Sequence, residues 1–561
     1  MKLYALSHSS TSLVAAMLIL SPLAAQAAPL TPDAGSILQQ IQPATPPAPS
    51  STGTGLTIER EGGKLPPSAP FEVKTIQISG NTLFDTTTLH ALVADGEGKT
   101  LTLSQLDDLA ARITDYYHSH GYPLARAFIP AQSIQAGVVR IEVIEARYGK
   151  IKLDNRSRVG DSLLQDTLAP LQGGQAIGQI GMDRSLLLLS DIPGVVVSAT
   201  LKPGETVGTS DLLVEAAPGR AVTGDVALDG YGNRYTGRAR AGIRLNFNNP
   251  LRHGDVLSAS GLSSGSGMSF GRLTYESLLN GRGTRMGGSY SALSYTLGDT
   301  LASLNAHGTA QVANVWAKQP LVRSRDVNLY GHLQYDRMQL RDRIDTSAIR
   351  TDRHLNNWAA SLSGDARDAL LSGAVNTWSV GWTSGRVGFD DAAAQLADAA
   401  TVKTEGGFSK WNANLSRLQN LSLKNSLYLT FLGQGTNTNL DPSEKMIAGG
   451  PYTVRAYDMG AVSGDTGYLL TAEFRHDLES AWQGQWQAGI FVDNAHVTVN
   501  KNIWAAGMNS ATLSGAGVGL NWAGQNQWSA RVYIAARIGS TPELVGSTAS
   551  TRAWAEIGKG F

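Results

Sequence analysis

Regular alternation of polarity runs through the C-terminal part of the chain, from Ala221 to Phe561. Apolar and polar side chains alternate over segments of about ten residues, which Gly, Asn and Asp divide from one another. Side chains on a strand point alternately to its two faces, so each segment predicts a strand with one apolar and one polar face. One such segment carries these residues at every second position: Gly237, Ala239, Ala241, Ile243, Leu245 and Phe247.

The polar face of these segments favours a membrane barrel over a soluble sandwich. It is built from Arg, Tyr and Asn, where a soluble sheet would carry Lys and Glu. We therefore predict a transmembrane antiparallel β-barrel of about 16 strands over residues 218–561, with its apolar face towards lipid. The low charged fraction of 16% and the 62 glycines agree with this fold. A barrel of this width holds a polar lumen rather than a packed core.

The N-terminus predicts export. Lys2 precedes an apolar run from Leu13 to Leu20, and Ala25-Gln26-Ala27 matches a cleavage site, so residues 1–27 are interpreted as a secretory signal peptide. No later stretch is apolar over the roughly 18 residues that a membrane helix needs. A closed barrel is the other structure that satisfies every backbone polar group in lipid.

Two short segments follow the signal peptide. Residues 28–42 predict a helix, with Thr31 as N-cap and Pro32 at its first position. Because so short a helix is marginal alone, it either docks against the protein or stays disordered. Residues 43–70 are rich in Pro, Ser, Thr and Gly and predict an extended linker. The apolar face of the helix is formed by Ile37, Leu38 and Ile41.

Residues 71–146 and 147–217 predict two small α+β units with the same β-α-α-β-β order. In the first, a single strand is expected from Phe71 to Ser79, Asp85 caps a short helix and Ser104 opens a longer one. A repeated supersecondary unit of this kind indicates two copies of one domain type.

The segment 439–467 predicts a long loop between two strands. It is Gly-rich and places Arg455 after Val454 and before Ala456 and Tyr457. Loops longer than about 12–15 residues are usually functional or disordered. The alternative interpretation is a flexible surface loop with an incidental arginine.

Asp493 is the expected partner of Arg455. A period of two places Phe491 and Asp493 together on the lumen side of their strand. An arginine–carboxylate pair would hold the loop inside the barrel with a directional geometry that lysine does not reproduce. Alternatively, Asp493 is one of many polar residues lining the lumen.

Other classes of function have little support in the sequence. Acidic and basic residues balance at 46 each, which gives no reason to expect a nucleic-acid partner, and the absence of cysteine excludes disulfides and thiolate metal sites. The nucleophile-elbow pattern at 261–265 falls within the barrel pattern rather than between a strand and a helix. We expect no catalytic residue, metal or cofactor. The terminal Phe561 is typical of an outer-membrane assembly signal.

The whole mature chain resembles the two-partner secretion outer-membrane transporters, the TpsB-type haemolysin and filamentous-haemagglutinin activator and secretion proteins. Their loop motif is Val-Arg-Gly-aromatic, which residues 454–457 match except for Ala456. Their strand motif, Phe-x-Asp-x-Gly, is matched by residues 491–495 except for Ala495. Both alanines have less backbone freedom than the glycines of the motifs.

The resemblance implies a role for each part of the chain. Residues 71–146 and 147–217 would be periplasmic POTRA domains, and the helix in 28–42 would plug the barrel. The protein would export a large adhesin or haemolysin, captured unfolded by β-augmentation, without nucleotide. Outer-membrane lipid and the barrel-assembly machinery are the other expected partners. A barrel-assembly insertase, a passive porin and a secreted enzyme remain as alternatives.

Overall fold

The computed structural model describes residues 31–41, 56–58, 68–546 and 548–561. Within these residues, sixteen antiparallel strands close into one barrel, preceded by two small α+β units and a separate N-terminal helix. The predicted fold class and strand number are therefore confirmed. The predicted signal peptide and most of the predicted linker lie outside the described residues.

The elements are numbered in chain order. The helices of the described chain are α1 (Ala34–Ile41), α2 (Thr86–Ala91), α3 (Leu103–Ser119), α4 (Asp161–Leu168), α5 (Gln179–Ser190) and α6 (Ala392–Ala400). The strands before the barrel are β1 (Leu56–Ile58), β2 (Phe71–Val73), β3 (Thr75–Ser79), β4 (Lys99–Leu101), β5 (Arg126–Phe128), β6 (Val138–Ile144), β7 (Arg147–Asn155), β8 (Val195–Pro203) and β9 (Thr209–Pro218). Among the described helices, none is both long enough and apolar enough to cross a membrane.

The barrel begins at β10 and closes by pairing β10 with β27. Its first eleven strands are β10 (Val222–Asp229), β11 (Arg240–Asn248), β12 (Val256–Ser263), β13 (Met268–Leu278), β14 (Arg285–Thr296), β15 (Ala306–Arg323), β16 (Val327–Ile344), β17 (Ile349–Asp368), β18 (Ala374–Phe389), β19 (Gly406–Asn420) and β20 (Asn425–Thr436). A short hairpin outside the barrel sheet follows, formed by β21 (Met446–Ala448) and β22 (Val462–Gly464). The last five barrel strands are β23 (Thr466–Asp477), β24 (Gly484–Thr498), β25 (Ser510–Gly524), β26 (Trp528–Arg537) and β27 (Thr551–Gly560).

Strand β24 shows how polarity orients the wall. Ile490 and Val492 are 60% and 50% exposed on the outer surface, whereas Phe491 and Asp493 are buried on the lumen side. Apolar side chains that face outwards along a closed barrel form the lipid-contacting band of a membrane protein.

The first module, built from β2–β6, α2 and α3, differs from expectation in two places. The strand predicted from Phe71 to Ser79 is wrong, because it breaks at Lys74, so that β2 pairs with β4 while β3 pairs with β6. Helix α3 does not open at Ser104. Thr102 is its N-cap and forms a capping box with Gln105, which satisfies two free N–H groups at once.

The second module packs α4 and α5 on a sheet of order β1-β8-β9-β7. Its first strand comes from the predicted linker, since β1 adds to β8 in parallel. The module lies against one rim of the barrel, where Arg323 donates two hydrogen bonds of 2.8 Å to Asp191. A further ion pair of 2.8 Å joins Asp183 to Arg325.

Glu145 ties the first module together near its junction with the second. The carboxylate is buried and accepts hydrogen bonds from the backbone N–H groups of Thr82 and Leu83, both at 2.7 Å, and from the Tyr117 hydroxyl at 2.8 Å. Burial alone would raise its pKa, but these hydrogen bonds hold the pKa of Glu145 below its ordinary value.

We expect Glu145→Gln to destabilise the first module by about 2 kcal/mol, because the amide replaces an ionised acceptor of several hydrogen bonds. A depressed folded pKa stabilises above the unfolded value and loses that contribution as pH falls through the folded value. Hydrogen exchange around Thr82 and Leu83 should therefore quicken in the variant near neutral pH, and the difference should shrink in acid. Asp108→Asn, on the exposed face of α3, is the control; equal protection in both variants would contradict the assignment.

Candidate functional site in the barrel lumen

The loop between β20 and β23 folds into the lumen. It contains a 3-10 turn at Pro442–Glu444 and the hairpin of β21 and β22, and most of its side chains between them are buried. It is therefore an ordered part of the lumen and not a flexible surface loop.

Arg455 lies at the inner end of this loop and binds the wall. Its Nε and Nη2 donate to the two oxygens of Asp493, each at 2.9 Å, and its backbone N–H donates to the same carboxylate at 3.1 Å. The guanidinium carbon lies 3.2 Å from the centre of the Phe491 ring. The structure thus brings together three residues that the sequence pattern singled out, in a side-on bidentate pair stacked on an aromatic face.

Glu473 is a second carboxylate on Arg455 that the sequence did not reveal. Its Oε2 accepts from Nη1 of Arg455 at 2.7 Å, and its Oε1 accepts from Nε of Arg475 at 3.0 Å. Glu473 is directly opposite Phe491 in the register of β23 and β24. The signal that could have found it is therefore cross-strand pairing, because Glu473 is an acid at a lumen-facing position of the strand next to Asp493.

The tip of the loop tolerates alanine where related motifs have glycine. Ala456 and Ala495 are fully buried, and neither is among the residues with positive φ. The side chain of Ala456 faces Gly515, where an added Cβ would lie only 2.5 Å from the Ala456 methyl. Neither position needs the left-handed backbone that favours glycine. Gly515, which has no side chain, leaves the space that the methyl group of Ala456 occupies.

Further contacts fix the residues around Arg455. Trp554 donates its indole N–H to the Arg455 carbonyl at 2.7 Å, and Val454 and Tyr457 are buried in the adjoining core. Asp458 binds Arg238 at 3.0 Å and Arg552 at 2.5 Å. The loop tip is consequently held from several sides of the barrel.

The root of the loop carries its own ion pairs. Lys445 binds Asp465 within the loop at 2.6 Å, and Glu444 binds Lys410 on β19 at 2.8 Å. Asp441 accepts from Nε of Arg353 on β17 at 2.5 Å. These anchors were not predicted, because they depend on which loop residue meets which strand.

Helix α1 lies inside the lumen, between the loop and the wall formed by β14–β16. Ile37 and Leu38 are buried, and Ile41 packs at the edge of the same cluster with Leu293, Leu340 and other wall residues. The predicted N-cap at Thr31 is wrong. Asp33 caps the helix instead, accepting from the Ser36 N–H at 2.9 Å, because its carboxylate stands immediately before the first helical residue.

Gly35 sets how closely α1 approaches the loop. A Cβ added at Gly35 would lie 2.6 Å from the backbone nitrogen of Ser443. The Gln39 side-chain amide donates to the Ser443 carbonyl, and Asn233 donates to the Gln40 side chain at 3.2 Å. The helix is therefore held in the lumen by close packing and a few polar contacts.

A cavity of about 1130 Å³ lies beyond α1, at the barrel rim opposite the modules. Thr31, Asp33 and Ser36 line it from the helix, and the turns after β18 and β24 line it from the wall. On the other rim, the turn after β11 touches the second module through Gly160 and Arg252. Helix α1 and the loop thus separate the module side of the barrel from this cavity.

Comparison with known proteins identifies this architecture. Residues 208–522, more than half of the chain, match the family described as haemolysin secretion/activation protein ShlB/FhaC/HecB, and residues 71–146 match the POTRA domain of ShlB type. The Heme/hemopexin transporter protein HuxB of Haemophilus influenzae is 27% identical over 474 residues, with 83% of each chain covered.

Two solved structures share the fold. The transporter CdiB from Escherichia coli superimposes with a TM-score of 0.69 at 21% identity, covering 90% of this chain and 93% of its own. BamA from Haemophilus ducreyi, lacking POTRA domains 1–3, gives a TM-score of 0.54 at 14% identity, covering 88% and 100%.

The parts now have a location. The barrel lies in the outer membrane, with the two N-terminal modules in the periplasm and the cavity on the exterior side of the barrel. The chain belongs to the haemolysin secretion/activation protein family ShlB/FhaC/HecB, whose members are two-partner secretion transporters that export a partner protein across this membrane.

Proposed function

We propose that this chain exports one large exoprotein of adhesin or haemolysin type, threading it unfolded through the lumen after α1 has left. One observation carries the proposal: the loop is held to the wall by several ion pairs at its root and tip, while α1 lies in the lumen as a separate eight-residue segment with one ion pair to the wall, through Asp33. The loop is then a fixed frame and the helix is the removable plug.

The periplasmic modules supply surfaces for capture of the client. In the described residues, β5 and β7 are edge strands of their sheets, whereas β8 already pairs with β1. An edge strand presents unpaired backbone groups to which an extended chain adds by β-augmentation. Such capture requires an unfolded client, which is also the form that a barrel lumen admits.

Arg455 acts in this proposal through position and not through catalysis. Each of its three guanidinium nitrogens donates to Asp493 or Glu473, so the side chain orients the loop. The outer face of the barrel contacts outer-membrane lipid. The terminal strand β27, which ends beside Phe561, would be bound by the barrel-assembly machinery during biogenesis.

The test is a secretion assay with a candidate client of adhesin or haemolysin type, first sought among the genes next to this one. Cells that carry both genes should place the client on the surface or in the medium, and cells without the transporter should retain it in the periplasm. Loss of unrelated outer-membrane barrels on deletion would favour the insertase alternative instead. Solute uptake without client export would favour a porin.

A further inference from the structure

Arg353, on β17, joins three separate parts of the protein. The side chain is buried, and each of its donor nitrogens binds a different carboxylate. Nε donates to Asp441 of the loop at 2.5 Å, and Nη1 donates to Asp342 of β16 at 2.7 Å. Nη2 donates to Asp33, which precedes α1. One guanidinium therefore contacts the plug, the wall and the loop.

The second oxygen of each carboxylate accepts a hydrogen bond from a backbone N–H group. Asp33 caps α1, and Asp441 accepts from the Ser443 N–H at 2.9 Å. Asp342 accepts from the Ala34 N–H at 2.8 Å and so satisfies a free N–H at the start of the helix. The cluster is thus part of the seat of α1 and not an isolated ion pair.

The charges in this cluster do not balance. Three carboxylates surround one guanidinium. Two other cations lie nearby, Arg343 and Lys445, but each forms its ion pair with a further carboxylate, Asp352 and Asp465, both at 2.6 Å. Asp441 is buried, and Asp33 and Asp342 are partly shielded from solvent. Like charges so placed repel more strongly than they would in bulk water, and a buried carboxylate that loses its partner is destabilising. Of the three acids, Asp33 is the one carried by the segment that leaves the lumen in the proposed function.

We infer that Arg353 is an electrostatic clasp for α1: its charge keeps Asp33 beside Asp342 and Asp441. Loss of that charge lets the repulsion of Asp33 by these two carboxylates outweigh the Ala34–Asp342 hydrogen bond, and the helix leaves its seat. The inference rests on the proposed role of α1 as the plug and adds what holds the plug in place. Because Asp33 is attracted by one charge and repelled by two, neutralising Asp33 alone should change the open fraction of the channel little. Neutralising Arg353 should change the open fraction greatly.

Single-channel recording of the purified full-length transporter in planar bilayers tests this inference without any client. Arg353→Gln should raise the open fraction at least about tenfold, because it leaves the buried Asp441 and the partly buried Asp33 and Asp342 without their shared cation. Asp33→Asn should stay within about twofold of wild type, and Asp33→Asn in the Arg353→Gln background should restore most of the closure, a non-additivity expected only of groups in direct contact.

Arg343→Gln is the matched control, because its guanidinium pairs with the Asp352 carboxylate on the same two strands and meets Asp342 at the backbone carbonyl, at 2.8 Å, rather than at the carboxylate. An Arg353→Gln barrel that assembles yet stays as closed as wild type would overturn the clasp, and so would a double variant as open as Arg353→Gln. If Arg353→Gln does not assemble, Asp33→Asn alone decides, since an ordinary latch predicts opening and the clasp does not. Open channels with unchanged client export would instead count against α1 as the barrier to export.

Discussion

Replacing Arg455 with glutamine is expected to abolish export of the client from a barrel that still assembles. The substitution leaves Asp493 and Glu473 buried without their shared cation, and breaking a buried ion pair by removing one partner costs about 3–5 kcal/mol. The loop tip would leave the wall and enter the path of the client. Arg455→Lys should fail as well, because a single ammonium group cannot reproduce the bidentate pair and also reach the second carboxylate.

Secretion of the client into the medium measures the effect, with barrel assembly followed by heat-modifiable gel mobility. Arg475→Gln is the matched control: it removes another arginine from Glu473, but one that belongs to the wall and not to the loop. We expect that control to secrete within about twofold of wild type, as expected for partly exposed ion pairs. Normal secretion by an assembled Arg455→Gln barrel would show that the Arg455–Asp493 pair is one of many polar contacts in the lumen and is not needed for export.

Gly35→Val should open the pore by excluding α1 from its seat. The new Cβ would lie 2.6 Å from the Ser443 nitrogen, and the ion pairs of Asp441 and Glu444 keep that part of the loop from moving aside. Gly35→Ala is the more informative variant. Alanine favours a helix over glycine by about 1 kcal/mol, so an open channel in Gly35→Ala would show that the close contact outweighs helix propensity.

Conductance of purified protein in bilayers and entry of large antibiotics into cells both measure this opening. Gln40→Ala on the same helix is the control, since it removes one hydrogen bond to Asn233 without adding volume. Channels of Gly35→Val that stay closed would mean that the loop yields to the helix. The frame and the plug would then have been assigned the wrong way round.

The architecture was predictable because period-two alternation is a local signal. Lipid-facing residues such as Ile490 and Val492 and their buried neighbours Phe491 and Asp493 follow directly from it. The N-cap residues of the helices were harder to predict from the sequence. Asp33 and Thr102 displaced the predicted starts of α1 and α3, since the choice among neighbouring Ser, Thr and Asp residues depends on which one meets the free N–H groups.

The site was predictable only where one motif lies on one strand. Asp493 could be proposed for Arg455 because it shares a face with Phe491, whereas Glu473 needed the register between β23 and β24. The Arg353 cluster could not be predicted even from strand register, because Asp33, Asp342 and Asp441 come from three distant segments that meet only in the closed barrel. The pattern of residues within one segment does not show which distant segments it contacts in the folded protein.

Reversible cross-linking of α1 to the barrel tests most directly whether the plug must leave for the client to pass. The chain has no cysteine, so Gln40→Cys with Asn233→Cys, whose native side chains meet at 3.2 Å, creates the only two thiols. A short, reducible thiol cross-linker would then join the helix to the wall. We predict that the cross-linked transporter stops exporting its client and resumes after reduction, whereas undiminished export by the cross-linked form would contradict the account.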